Sequence, residues 1–316
     1  MVKDTGPIEL FQDSVRLHHV FEETTQPFRL DLWRYCVSLT GSQWDGEDLF
    51  QETLIKAYGS LFQRAYSPTN IKSYIFRMAT NQWIDECRKR KIALDEWTDE
   101  EGAVEQTYDS FELTLGVTFL TTILTPRQAA ALLLVDVLGF HAGEAAGMLQ
   151  TSVQSIYSSI KRARNKLAER KNDMKDFSIS AHSSEQEKVI QAYLNAMQEG
   201  DVEGVLALYS DHITNDTRPG FQEFTKEEVR KGSLQYGFSA LHAERRLLWG
   251  RHVMIKLVDT EAGPALHDVQ FQQVEDGKIV YHRSYFFCRE FLTEAAKELN
   301  VAVQRRKPPV DWSHID

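Results

Sequence analysis

The segment TSVQSIYSSIKRARNKL, Thr151 to Leu167, constrains the fold more than any other stretch of the chain. Val153, Ile156, Ile160, Ala163 and Leu167 recur at i, i+3, i+7, i+10 and i+14, the spacing of one face of an α-helix. Thr151 reads as the N-cap, and Gln154 completes a capping box. Away from the apolar stripe lie Gln154, Ser155, Ser158, Lys161, Arg162 and Asn165. Lys161, Arg162, Arg164 and Lys166 stand here without one acid, although the 316-residue chain has a net charge of −10. Short hydrogen-bonding groups come first and cations later. A helix whose N-terminal half enters a DNA major groove needs that order, with amides and hydroxyls for base edges and cations for phosphates. Taken alone, the segment fits a solvated basic amphipathic helix equally well.

The upstream residues shift that balance. In LTPRQAAALLLVDVLGFHAGEAAGMLQ, Leu124 to Gln150, Thr125 and Pro126 form an N-cap and N1 pair, with Gln128 at the box position. Ala129–Leu138 reads as a buried helix and Gly139 as its C-cap. A short helix, Ala142–Leu149, and a brief break lead into the basic helix. Helix, short turn and second helix make a helix-turn-helix.

The length allows about two or three domains. No apolar run approaches the roughly 18 residues of a membrane span, and the N-terminus lacks the apolar core of a signal peptide. The chain is therefore expected to be cytoplasmic, with no membrane partner. Cys36, Cys87 and Cys288 are far apart and odd in number, which predicts reduced thiols. No metal site and no cofactor is predicted. Cations cluster at Arg88–Lys91 and at 161–171. Between Lys91 and Arg127 there are none, while Asp95, Glu96, Asp99, Glu100, Glu101, Glu105, Asp109 and Glu112 fill the interval.

In Ser42–Leu61, Asp45 is a plausible N-cap, and Phe50, Leu54, Ala57 and Leu61 form a buried stripe. Asp48, Gln51, Glu52 and Ile55 form a second face, acidic with one apolar residue. In Ser67–Lys91, Ile71, Tyr74, Ile75, Met78 and Ala79 share a face, and Asn81, Asp85 and Arg88 lie away from it. The closing Arg-Lys-Arg-Lys run suits the negative end of the helix dipole; it also suits phosphate.

The segments DGEDLFQETLIKAYGSL, SYIFRMATNQWIDECRKRK and LTPRQAAALLLVDVLGF with TSVQSIYSSIKRARNKL, in this order and spacing, resemble the two domains of bacterial extracytoplasmic-function sigma factors of the sigma-70 family. The resemblance covers roughly residues 10–170. It implies that Asp48, Gln51, Glu52 and Ile55 dock on the β′ clamp helices of core RNA polymerase. It implies that Asn81 and Trp83 hold unstacked bases of the −10 element while Arg88, Lys89 and Arg90 bind phosphate. It places Thr151, Ser152, Gln154, Ser155 and Ser158 near base edges of the −35 element, with Lys161, Arg162 and Arg164 on its backbone. Polymerase core, through its β′ clamp helices and β flap, and promoter DNA are the implied partners. The acidic stretch would thread the polymerase's RNA path; a solvated tether explains it as well. Four positions depart from the family pattern. Ala145 replaces a larger aliphatic, Gly143 and Gly147 weaken a short helix, and Gln150 stands in the turn where glycine is common.

Beyond residue 172 the composition changes. Lys171–Gln186 is polar and serine-rich, a linker. Val189, Ile190, Tyr193, Leu194 and Met197 predict an amphipathic helix ending at Gly200, and VEGVLALYS a second helix. Val253, Ile255 and Leu257 alternate as a strand, and Asp276-Gly277 signals a hairpin. Tyr281 to Phe287 alternate again, a last helix covers about Arg289–Leu299, and the tail is expected to be irregular. VIQAYLNAMQEGDVEGVLALYSDHI and EDGKIVYHRSYFF resemble the SnoaL-like cone fold, which implies a pocket. His212, Asp216, His242 and His267, with Asp268, are its candidate polar residues.

The expected fold is multidomain, with two all-α sigma domains, the second a helix-turn-helix, followed by an α+β SnoaL-like domain. The expected ranges are 1–92, an acidic linker 93–116, 117–172, a linker 173–184, 185–303 and a tail 304–316. The function expected is an alternative sigma factor, not an enzyme, with a C-terminal domain that regulates it by packing on the sigma domains, by contacting polymerase or by sensing a small-molecule ligand. Two alternatives stand beside it. One is a SnoaL-like enzyme or ligand sensor fused to DNA-binding modules. The other is a helix-turn-helix regulator that does not engage polymerase as a sigma.

Overall fold

The structure is a computed structural model, and it describes residues 7–62, 68–97, 123–169, 184–236, 241–307 and 310–311. Most of the acidic stretch and the serine-rich linker lie outside these residues. The described residues form two compact units, one up to residue 169 and one from residue 184.

The first unit is all helix: α1 (Pro7–Thr25), α2 (Arg29–Thr40), α3 (Gln43–Phe62), α4 (Ile71–Trp97), α5 (Pro126–Leu132), α6 (Ala142–Met148) and α7 (Val153–Glu169). Helix α2 ends on Gly41 at φ +78°, the left-handed stop that glycine takes without strain. Helix α3 starts earlier than expected. Ser42 Oγ, not Asp45, takes the capping role by accepting from the Asp45 amide at 3.2 Å. Gly46 lets α3 press on α2, since a Cβ there would stand 2.5 Å from the Val37 backbone.

Phe50, Leu54 and Ala57 are buried as expected. On α4, Ile75 and Ala79 are buried, but so are Phe76, Thr80 and Trp83. Phe76 stacks on Tyr35 with ring centroids 5.3 Å apart. The hydroxyls of Tyr35 and Thr80 meet at 2.7 Å inside this core, so the tyrosine is buried without losing a hydrogen bond.

Helix α5 opens as its sequence requires. Thr125 caps it, Pro126 follows, and the reciprocal bond from Gln128 completes the box. The expected helix over Ala129–Leu138 is regular only to Leu132; Leu133–Val137 is a π-turn, closed by Gly139 at φ +70°. In α7 the cap is Ser152, one residue later than expected, with its Oγ 3.2 Å from the Ser155 amide. Val153, the first residue of the helix, is 42% exposed, and Ile156, Ile160 and Ala163 form the buried stripe.

The second unit is α+β, as expected. Helices α8 (Ser184–Glu199) and α9 (Val202–Leu208) precede β1 (Tyr209–Thr217) and β2 (Phe221–Glu223). Two short helices, α10 (Lys226–Lys231) and α11 (Ser233–Tyr236), lead to β3 (Leu241–Leu248), β4 (Arg251–Thr260), β5 (Gly263–Glu275) and β6 (Lys278–Ser284). Helix α12 (Arg289–Glu298) and three two-residue strands, β7 (Ala302–Val303), β8 (Arg306–Lys307) and β9 (Val310–Asp311), follow. The sheet order is β2-β1-β6-β5-β4-β3, with β1 parallel to β6 and β7 parallel to β5. Register shifts occur at Lys256/Leu257 and Gln273/Val274, where an extra residue bends a strand.

Val189, Tyr193, Leu194 and Met197 of α8 pack with Ile213, Met254 and Ile279 of the sheet. Asp276 and Gly277, at φ +49° and +71°, make the tight hairpin turn that joins β5 to β6. Two expectations are corrected. Tyr209 and Ser210 begin β1 instead of ending the second helix. The tail pairs β8 with β9, because the buried Lys307 ammonium donates to the His267 and Phe286 carbonyls and fixes the segment on the sheet.

Gln150 sits at φ +48°, the left-handed conformation that a side chain disfavours. Gln150→Gly is predicted to stabilise the chain by about 1 kcal/mol, read as a rise in urea midpoint at unchanged m value.

Candidate nucleic-acid interface

Helix α7 presents its outward side to solvent. Ser152, Gln154, Lys161, Arg162 and Arg164 are exposed, while Thr151, Ser155 and Ser158 are half-buried. The Ser158 hydroxyl is turned inward along the helix, donating to the Gln154 carbonyl at 3.0 Å. Arg164 is held by a two-pronged contact to Asp136 in the π-turn, both bonds 2.9 Å. Such a fork fixes the guanidinium plane. Arg164 remains largely exposed, so the pair is worth no more than about 1 kcal/mol. A groove of about 380 Å³ runs beside it, lined by Val135, Asp136, Tyr157, Ile160, Lys161, Arg164 and Asn165.

On α4, Asn81, Arg88 and Lys89 are exposed, and Arg88 pairs with Asp85 at 3.1 Å. Arg90 lies on this helix, but its side chain is outside the described residues. Trp83 is only 4% exposed and belongs to the core. The period that buries Ile75 and Ala79 also brings position 83 inward, since 75, 79 and 83 are successive i+4 steps. The tryptophan thus supports the helix that displays Asn81 and Arg88.

On α3, Ile55 is 59% exposed, with Asp48 and Glu52 half-buried beside it. Gln51 is buried and donates to Glu47. Glu47, wholly buried, also accepts from the Trp33 indole at 2.7 Å. Glu52 accepts from Gln82 of α4. The outward face here is therefore Asp48, Glu52 and Ile55, and Gln51 is part of the scaffold.

In the second unit the four pocket candidates do not converge. His212 and His242 are exposed. Asp216 is fully buried on the opposite side of β1 from the α8 core, where it accepts from Tyr281 at 3.0 Å and pairs with Arg218 at 2.8 Å. His267 occupies the β5 bulge, its Nδ1 2.5 Å from Gln304 Oε1; burial lowers its pKa.

A different set of polar residues gathers on the core side. Lys256 faces Asp268 across β4 and β5, and Gln270 faces Ser284 across β5 and β6. Asp268 Oδ2 accepts from Gln270 at 2.8 Å and from Ser284 at 2.9 Å. Its Oδ1 and the Gln270 Oε1 are buried without a protein partner. Nearby, His282 packs against both Tyr193 and Tyr209, whose rings stack on each other, and the three rings form a triangle with centroids 5.7, 6.0 and 5.9 Å apart. Burial, and secondarily Lys256, push its pKa down to about 3, so it is neutral. Burial likewise pulls the Lys256 pKa down, against the pull of Asp268. This band can both donate to and accept from a small polar molecule. Period-2 alternation carried part of the signal, since Asp268, Gln270 and Gln272 fall on one strand face.

Residues 26–92 match the family sigma-70 region 2, and residues 122–167 match sigma-70, region 4. Two segments of the helical unit are thus similar to sigma-70 regions 2 and 4, in that order, and an α+β unit follows them. Among curated relatives, SigG of Mycobacterium tuberculosis H37Rv, an ECF RNA polymerase sigma factor, is 26% identical over 220 residues, covering 60% of this chain and 59% of SigG. SigM of Bacillus subtilis is 28% identical over 151 residues, 46% of this chain and 91% of SigM. The crystal structure of M. tuberculosis SigJ aligns with 83% of this chain and 95% of its own, at 17% identity and a TM-score of 0.32. The chain thus spans less than two thirds of the SigG it matches. The matched segments contain Asn81, Arg88 and Lys89 of α4 and the exposed cations Lys161, Arg162 and Arg164 of α7. No described helix is long and apolar enough to cross a membrane.

The two kinds of residue on the region 2 helix separate by stability. Trp83→Ala is predicted to cost about 3–5 kcal/mol, a large aromatic removed from a core, whereas Asn81→Ala stays within about 0.5 kcal/mol. Chemical denaturation of both variants checks this.

Proposed function

We propose that this chain is an alternative sigma factor. It binds core RNA polymerase and directs initiation at promoters through regions 2 and 4, and its C-terminal domain regulates that activity. The observation that carries this reading is the presence of two distinct outward faces in one helical unit. One, on α3, sets exposed Ile55 one turn beyond Glu52 and two turns beyond Asp48, on the same side of the helix. The other, on α7, sets Gln154 ahead of Lys161 and Arg162. An acidic face around an apolar residue complements a basic helical partner such as the β′ clamp helices. A cationic helix after a tight turn complements duplex DNA. A simple helix-turn-helix regulator needs only the second face.

Each step has a named contributor. Asp48, Glu52 and Ile55 dock the protein on polymerase. Asn81, with Arg88, Lys89 and Arg90 behind it, holds the −10 strand. Ser152 and Gln154 read the −35 element, and Lys161, Arg162 and Arg164 bind its phosphates. Arg164 exchanges the Asp136 carboxylate for a phosphate, a trade between two anions that leaves the guanidinium paired in both states. The overall charge of −10 limits binding of the free protein to random DNA, because non-specific affinity depends on the number of phosphates neutralised.

We assign the C-terminal domain a regulatory, non-catalytic role. The scatter of His212, Asp216, His242 and His267 supports this, because acid–base catalysis needs its groups within reach of one reacting centre. The Lys256–Asp268–Gln270 band is where a small polar effector would bind.

Competition for core polymerase tests the first step. Ile55→Lys is predicted to weaken core binding at least about tenfold, a loss of about 1.4 kcal/mol, with unchanged stability, since the residue is exposed. Equal binding of wild type and variant would remove the α3 face from the proposal.

A further inference from the structure

Helix α7 carries a surface that its polar pattern does not explain. Val153 is 42% exposed and Tyr157 is 58% exposed. They stand one turn apart, at i and i+4, so their side chains are neighbours on the helix surface. Both lie in the N-terminal half, the part of a recognition helix that reaches base edges. Lys161 continues the same line one turn further on, and Arg162 and Arg164 follow, all exposed.

A single exposed apolar side chain needs no explanation. Two adjoining ones between a polar N-terminus and a row of cations point to a partner with apolar groups set among phosphates. The major groove of DNA is such a partner. Its apolar group is the thymine C5-methyl, which sets T·A pairs apart from C·G pairs there. Gln154, exposed beside Val153, supplies the amide that pairs with adenine N6 and N7. The occupant is chosen by charge: a protein partner would need acidic side chains facing Lys161 and Arg162, whereas duplex DNA presents a phosphate every few ångströms.

We infer that Val153 and Tyr157 are specificity-determining residues of region 4, packing on thymine methyl groups in the −35 element beside an adenine read by Gln154. The inference rests on the sigma reading above and narrows it to a base composition.

The test uses full-length protein assembled with core polymerase. Promoter duplexes are first selected from a random pool at one stated salt concentration. Each thymine of the selected −35 element is then replaced by uracil, which removes the methyl and leaves the hydrogen-bonding pattern unchanged. At one or two thymines the wild type is expected to lose about fourfold in affinity, the ratio equivalent to about 0.8 kcal/mol for one buried methyl-sized group. Val153→Ala and Tyr157→Ala are expected to bind thymine and uracil duplexes more nearly alike, while their salt dependence stays at the wild-type slope. Both substitutions are at exposed positions, and a circular dichroism melt coinciding with wild type verifies folding.

Indifference of the wild type to uracil at every position would overturn the inference while leaving the sigma reading intact. So would weaker core polymerase binding by the two variants with unchanged DNA preference, which would assign the strip to a protein partner. Failure of the holoenzyme to select any −35 element would overturn the sigma reading, and this inference with it.

Discussion

The helical unit depends on the burial of one face of α4. Phe76 stacks on Tyr35 and lies near Phe28, and its other edge meets Phe140 at 5.3 Å, in the turn after α5. Lys72 stands over the Phe140 ring at 4.5 Å. The same side chain thus closes the region 2 core and receives the helix-turn-helix. With Ile75, Phe76, Ala79 and Trp83 committed inward, Asn81, Asp85, Arg88 and Lys89 have to face out. The proposed nucleic-acid face is the complement of the core face, so the packing of α4 decides which side chains it displays.

Charge then divides the labour. The cations that matter are few and local, while the chain as a whole is acidic. Under the proposed function, local cations give contact at a chosen site, and the acidic balance keeps the free protein from coating DNA. The Asp136–Arg164 fork fits this division, since an exposed ion pair holds the guanidinium in position yet is weak enough to exchange.

Much of this was legible in the sequence. The Thr125-Pro126-Gln128 cap, the Gly139 stop, the Asp276-Gly277 hairpin and the core helix ending at Gly200 are all where local chemistry puts them. What was not legible has physical reasons. Serine competes with threonine and aspartate as an N-cap, so the caps fall on Ser42 and Ser152. The helical period does carry Trp83 inward, four residues after Ala79, and only the family resemblance assigned it to unstacked bases. Gln51 was read as surface because it is polar, yet Glu47 gives it a buried partner. In the C-terminal domain, histidines drew attention as titratable residues. The sheet register instead brought together Lys256, Asp268 and Gln270, a pairing that depends on strand neighbours no single-chain pattern reveals. The tail has no periodic pattern to mark a strand, and the Lys307 contacts to the His267 and Phe286 carbonyls that anchor it are visible only in the fold.

The central claim is that regions 2 and 4 of this chain make core RNA polymerase start at particular promoters. Reconstituted transcription tests it most directly: core polymerase, the full chain and duplexes selected by the holoenzyme, at one stated salt concentration. The account predicts transcripts with a defined start that require the added protein and are strongly reduced by combining Lys161→Ala with Arg162→Ala. Selected templates that bind yet yield no protein-dependent transcript would contradict it.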